Sequence, residues 1–319
     1  MDYVNKLFAL ELDKKEVKFL LDFCNKNYLL IKMISEISFD VQRDLKQIKV
    51  EDFLYASRYI KERHSSYYDE LERMFKYNEI IVSDYNCANA SCDSYTGKIW
   101  IGLSHSILDD LYLVHEFFHH QNLIPINDKQ GKEENLTRKM FGEVISYLSQ
   151  FDMVDWLSDA DVKNECLNSV SDCICDCINC AKEIRVELFL ISVFKKYKKI
   201  DESLIEKEAL ECKDEFLTSL VLEYFDGVLK DICGWGANFK FPFYLKYVLG
   251  VSIAFYLRDR LKIDSDIWKK VYYVNEHIYD MSIEELLRLF EIDLSREDII
   301  LSFKKQCDYL SSCEYKLVK

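Results

Sequence analysis

The sequence predicts a mainly α-helical protein with one small β-sheet. Three observations carry this expectation. The 319 residues include only 8 Gly and 2 Pro, too few for the turns of a β-sandwich or barrel. Apolar residues recur at helical spacing over most of the chain. Short alternating, β-rich runs occur only between residues 79 and 103. With 49% apolar residues, the chain can bury the core of one large or two modest domains.

The elements follow in order. Residues 14 to about 78 spell two or three amphipathic helices. Phe19, Leu20, Phe23, Leu29, Ile31 and Ile34 form the first apolar faces, and Phe53, Leu54, Tyr59, Ile60, Tyr67 and Leu71 the next. Residues 38–40 read as a cap between helices. Residues 79–83 read as a strand, 86–96 as a turn and 97–103 as a second strand, making a small sheet or hairpin. Beyond Ser104, helices are expected over about 106–122, 134–151, 161–197, 202–232 and 241–262, with several short ones to the end. The change of texture near residue 80 divides a helical N-terminal segment, 1–79, from a domain spanning 80–319.

Charge narrows the function. Lys and Arg total 42 against 56 Asp and Glu, a net charge of −14, which disfavours nucleic acid and anionic membrane surfaces as partners. No basic segment followed by an apolar core opens the chain, so no secretory signal is expected. The most apolar stretch, 241–257, is interrupted by Lys246 and short for a membrane span, and reads as a core helix. The 12 cysteines of so long a chain read as reduced thiols, hence a cytoplasmic, reducing compartment; a signal-less export route is compatible with the same reading.

One motif carries chemistry: His115-Glu116-Phe117-Phe118-His119. Ser106 caps the expected helix, and Asp109 suits its first turn. On a helix, positions i and i+4 share a face, so His115 and His119 can offer two imidazoles to one metal ion. Glu116 then stands beside the ion and can take a proton from water there, as the general base of a metallopeptidase does. The bland alternative is a buried helix with two hydrogen-bonded histidines. A third ligand is required. An extended motif with a histidine six residues on is excluded, because Pro125 stands there. Glu143, 24 residues downstream on a second helical stretch, is the leading candidate, with Glu133 and Glu134 as rivals. His64, His105 and His277 have no ligand-like partner in sequence, and His120 points off the metal face.

Taken with Phe141-Gly142-Glu143-Val144-Ile145-Ser146, the motif resembles the thimet oligopeptidase and oligoendopeptidase F family of zinc peptidases. Two further blocks are similar to that family. Gly97 to Ile101, leading through Asp109-Asp110-Leu111, resembles its substrate-binding edge strand and its entry to the active-site helix. Residues 241–250 resemble its tyrosine-rich segment. The resemblance covers roughly residues 80–260 and implies a helical zincin-type metallopeptidase domain. It implies one zinc per chain, held by His115, His119 and Glu143, with Glu116 as base. It also implies that Tyr244 and Tyr247 are candidates to stabilise the oxyanion, and that a peptide adds along the main chain of Ile99, Trp100, Ile101 and Gly102. Core packing is the alternative for each tyrosine in a chain with 21 of them.

The departures are specific. Asn238 stands where a substrate-holding histidine is usual, Gln150 where an acid is usual, and Phe117 or Phe118 where a glycine is usual. The chain is also shorter than typical members, which predicts a shallower groove that admits longer substrates. Cys166, Cys173, Cys175, Cys177 and Cys180 form a thiol cluster without the spacing of paired zinc knuckles. Helix packing is the preferred reading there, and a second metal or redox site the alternative. The expectation is a zinc endopeptidase acting on peptide or protein substrates. The alternatives are a protease dedicated to one protein and a catalytically weakened peptide-binding module.

Overall fold

Capping chemistry sets many of the helix ends. Asp214 shows why the stretch expected as one helix over 202–232 is two. Its backbone carbonyl accepts from Thr218 N–H, and its Oδ1 accepts from Leu217 N–H at 3.0 Å. This is an N-cap that starts a new helix. Ser282 and Glu285 form a reciprocal capping box at another start. The structure, a computed structural model, describes residues 2–39, 49–51, 53–84, 89–93, 95–127, 136–235, 244–294 and 297–317.

Fourteen α-helices and one small sheet make up the described residues. The first five are α1 (Asp2–Glu11), α2 (Lys15–Lys26), α3 (Tyr28–Ser35), α4 (Leu54–Arg63) and α5 (Ser65–Lys76); the last four occupy the stretch 14–78, where two or three were expected. Strands β1 (Ile80–Ser83), β2 (Asn89–Cys92) and β3 (Ile99–Gly102) follow. Then come α6 (Ile107–Asn127), α7 (Leu136–Trp156), α8 (Ala160–Tyr197), α9 (Glu202–Leu210), α10 (Glu215–Trp235) and α11 (Leu245–Leu261). The last are α12 (Ile267–His277), α13 (Ile283–Leu289) and α14 (Asp298–Leu317). Among the described residues, no helix is long and apolar enough to cross a membrane.

Two compact units share the chain. One joins Met1–Ser38 to Asp176–Val248; the other joins Phe39–Cys175 to Leu249–Lys319. The boundary expected at 79/80 falls inside the second unit. The texture change there marks the first strand, and α4, on its N-terminal side, packs on α6 beyond it.

In the first unit, Val4, Phe8, Val17 and Leu21 pack with Val186, Leu190, Phe194, Val221 and Ile232. The fully buried Arg185 donates to Ser35 Oγ, Glu36 Oε1 and Asp214 Oδ2 at 2.9, 3.0 and 2.8 Å. Asp214 therefore both caps α10 and anchors the buried guanidinium. Burial without those partners would leave an uncompensated charge in the core.

The second unit is built on the sheet. Its order is β1-β3-β2, with β1 parallel and β2 antiparallel to β3. Ile99 and Ile101 point into the core, while Trp100 between them lies on the opposite, exposed face. The expectation of Ile99–Gly102 as an edge strand is corrected here. β3 is central, with ladder pairs to β1 on one side and β2 on the other, so its main chain has no edge to offer a peptide. Helix α6 packs against both β2 and β3, and among the described residues β2 is an edge strand beside that helix.

Candidate metal centre

Helix α6 is fixed at its start before it presents any chemistry. Ser106 Oγ accepts from Leu108 N–H at 3.3 Å, the expected N-cap. Asp109 reaches back and accepts from the Ser104 and His105 backbone amides at 2.9 and 2.8 Å. Asp110 Oδ1 accepts from Ala56 N–H at 2.7 Å and so caps the uncapped start of α4 from outside. These bonds fix the rotation of α6 about its axis, and with it the side on which the histidines emerge.

Away from the two histidines, Phe117 and Phe118 are fully buried. Phe118 meets His64, Tyr67 and Trp268, with ring centroids 5.0, 6.0 and 5.7 Å away. The bulky pair thus beds the helix into the core. His64 is locked between the Tyr272 and Tyr59 hydroxyls at 2.8 and 2.9 Å, and Tyr59 donates on to Asp152 at 2.9 Å. Burial pushes the His64 imidazole down to about 3, and Arg63 adds to the shift.

The histidine face meets α7. His119 lies against Gly142, and His115 bonds to Gln150, so the two helices run antiparallel. His115 Nε2 and His119 Nε2 are 3.2 Å apart, and Glu143 Oε2 is 3.8 and 3.4 Å from them. Four tetrahedral ligands at zinc–nitrogen distances of about 2.05 Å stand about 3.3 Å from one another. The three donors therefore already sit at the mutual spacing that one zinc ion requires. Among the described residues, this is the group of His, Cys, Asp and Glu donors close enough to hold a metal ion. The side chains of Glu143, His115 and His119 are 7%, 12% and 22% exposed, so the group lies in a wall that solvent reaches from one side. Glu116 is partly exposed on the same helix.

Three supporting contacts surround the group. Gln150 Oε1 lies 3.2 Å from His115 Nδ1. An amide oxygen only accepts, so Nδ1 carries the proton and Nε2 keeps its lone pair for a metal. The ring edge of Tyr147 closes on His115 at 4.7 Å between centroids. Gly250 of α11 lies directly behind Glu143; a Cβ there would stand 2.8 Å from the Glu143 Cβ. Gln150 had registered in the sequence only as a missing acid, and Gly250 only as the end of a motif. Neither carries a charge or a pattern that announces a ligand-supporting role.

No family model and no curated protein matches the chain. Among solved structures, it is similar to a crystal structure described as that of an oligoendopeptidase F from Bacillus anthracis strain Ames, with a TM-score of 0.57 and 10% identity. The alignment covers 98% of this chain and 56% of that one. The chain thus spans just over half the length of the protein it resembles. At that identity the likeness is one of fold alone: a mainly helical architecture.

Tyr244 and Tyr247 belong to the first unit, not the one that holds the histidines. The Tyr244 hydroxyl donates to Asp231 Oδ2 at 3.5 Å, and burial together with Glu183 and Asp231 pushes it upward. The Lys246 ammonium lies over the Tyr247 ring at 4.4 Å. Asn238 lies outside the described residues, as do the rival ligands Glu133 and Glu134. The cysteine cluster lies along α8, with Cys166 and Cys177 buried and Cys173, Cys175 and Cys180 partly so. Burial pushes the Cys180 thiol up to about 12.

Proposed function

We propose that the chain is a zinc-dependent endopeptidase that hydrolyses peptide bonds with Glu116 as general base. The observation that carries this reading is the meeting of His115, His119 and Glu143 donor atoms within 4.8 Å of one another. Two come from an HExxH helix and the third from the next helix, in a fold like that of an oligoendopeptidase. A zinc ion held there supplies Lewis-acid polarisation of the scissile carbonyl and acidifies the attacking water. Glu116 takes the proton of that water and passes it to the leaving amine. Gln150 holds His115 in the metal-binding tautomer throughout. On sequence grounds, Tyr244 or Tyr247 supplies a hydroxyl to the oxyanion.

The peptide adds along the edge strand β2, whose register Asn89–Gly102 to Cys92–Ile99 places it antiparallel to the central strand. Such binding reads main chain rather than side chain, and it suits peptides or extended segments of proteins. The thiol-rich composition supports action in a cytoplasmic, reducing compartment.

The test is a peptide-library digest by zinc-loaded protein beside a Glu116→Gln control. Wild type is expected to cleave, and the control to keep its zinc and lose about 10²–10⁴ of the rate. Equal cleavage by both would remove Glu116 from the mechanism. No cleavage by wild type would leave a binding module or a protease with one protein target.

A further inference from the structure

His120 follows His119 on α6 but takes part in a different set of contacts. Its side chain is buried, with Nδ1 2.8 Å from the Gly97 carbonyl oxygen and Nε2 2.9 Å from Glu70 Oε1. The Gly97 carbonyl only accepts, so Nδ1 carries the proton toward it. Glu70 is held in turn by Arg73, with Nε to Oε2 at 2.7 Å and Nη2 to Oε1 at 2.8 Å, and these bonds keep its carboxyl below the usual carboxylate range. Arg73 also donates to Glu79, the residue before β1, at 2.8 and 2.6 Å. One imidazole therefore joins α5, the entry to β1 and the β2–β3 turn to the helix of the metal site.

The turn transmits this anchoring to β2. Gly97 N–H donates to Asp93 O, and Asp93 N–H donates to Lys98 O, both at 2.8 Å. Asp93 directly follows the last residue of β2. Asp93 Oδ1 also accepts from the Tyr95 and Thr96 amides at 2.9 and 2.6 Å. Gly97 has φ +70°, and a Cβ there would stand 2.8 Å from His120 Nδ1. Only glycine allows both that backbone conformation and the close approach of the ring.

We propose that His120 is a positioning residue: it clamps the β2–β3 turn to α6 and so sets where the edge strand β2 receives an extended peptide. This rests on the peptidase reading above and deepens it. Main-chain bonds along β2 form alike in the ground and transition states, so a lifted strand weakens substrate binding and spares the chemical step.

The experiment uses the zinc-loaded full chain as wild type, His120→Ala and His120→Asn, with a peptide that wild type cleaves. The asparagine amide reproduces the Nδ1–H donor toward Gly97, and alanine does not. Zinc content is expected to be equal in all three. In His120→Ala, KM is expected to rise about tenfold with kcat within about twofold, and His120→Asn to stay near wild type. Amide exchange over Asn89–Cys92 is expected to speed up in the alanine variant only. If that variant does not fold, His120→Gln, which keeps a polar group toward Glu70 and drops the donor toward Gly97, takes its place. Unchanged KM and unchanged exchange in a folded variant overturn the proposal. A fall in kcat with lost zinc in both variants overturns it as well, because His120 would then act on the metal site. If wild type cleaves no peptide while exchange still responds, the peptidase reading has failed and the clamp has no substrate to position.

Discussion

Gln150 does for His115 what a carboxylate does in many metal sites: it accepts the Nδ1 proton and aims the other nitrogen. The amide is itself steadied, with Nε2 donating to Ser169 Oγ at 3.5 Å. Gln150→Leu removes the acceptor at similar bulk, and zinc affinity is expected to drop about 10–100-fold. Competition with a chromophoric chelator measures this, and unchanged affinity would mean that the helix alone orients His115. The three candidate donors that meet were legible in the sequence, for a plain reason. Helical periodicity puts His115 and His119 on one face regardless of the rest of the fold, and the next helix, antiparallel to the first, brings Glu143 to them. Support from Gln150, Tyr147 and Gly250 was not legible, because it depends on which residues of α7 and α11 end up facing the group.

Helices α7 and α11 meet at Gly250, where the backbone of one lies against Glu143 of the other. An alanine in a helix is usually worth about 1 kcal/mol over glycine. Here its Cβ would stand 2.8 Å from Glu143 Cβ and 3.1 Å from Tyr147 Cδ2, so the helices must part by a few tenths of an ångström. Overpacking of this kind costs about 1–3 kcal/mol. Gly250→Ala is therefore expected to lower the chemical-denaturation midpoint and weaken zinc binding together. A stabilised variant with wild-type affinity would show slack between the helices. At this scale the sequence was informative about element type and poor about order. The alternation of buried Ile99, exposed Trp100 and buried Ile101 marks a strand with one face on the core, whether it is central or an edge. Its pairing with β1, parallel and from a distant segment, is a non-local choice that periodicity does not record. The break between α9 and α10 was readable in principle, since Asp214 is a good N-cap residue. The apolar pattern running through it masked the signal.

The two units are expected to respond to acid in opposite senses. In the second, His64 is held neutral, and its ordinary value of 6.5 is pushed down to about 3 by burial. The unfolded chain takes up that proton first, so stability is complete above about pH 6.5. It falls as pH drops toward 3, by up to about 1.4 kcal/mol per pH unit. Asp152, raised by burial, works the other way and offsets part of the loss. In the first unit, Glu187 is fully buried and pushed well up, by burial and then by Glu183 and Asp231. Its folded form keeps a proton that the unfolded chain gives up above about pH 4.5, so lowering the pH relieves a penalty. Between pH 7 and 5, in chelator-treated protein, amide protection corrected for intrinsic exchange is expected to fall in α4 and α5 relative to α10. Parallel changes in both would refute the assignment. The proposed zinc is expected to stabilise the second unit, since all three donors belong to it. That makes the metal the most direct handle on the whole account. The decisive measurement is zinc content per chain after loading and desalting, for wild type, Glu143→Ala and Glu116→Gln. About one zinc in wild type and in Glu116→Gln, and close to none in Glu143→Ala, is the expected result. Full zinc retention by Glu143→Ala would contradict it, because the carboxylate 3.4 Å from His119 would then not be a ligand.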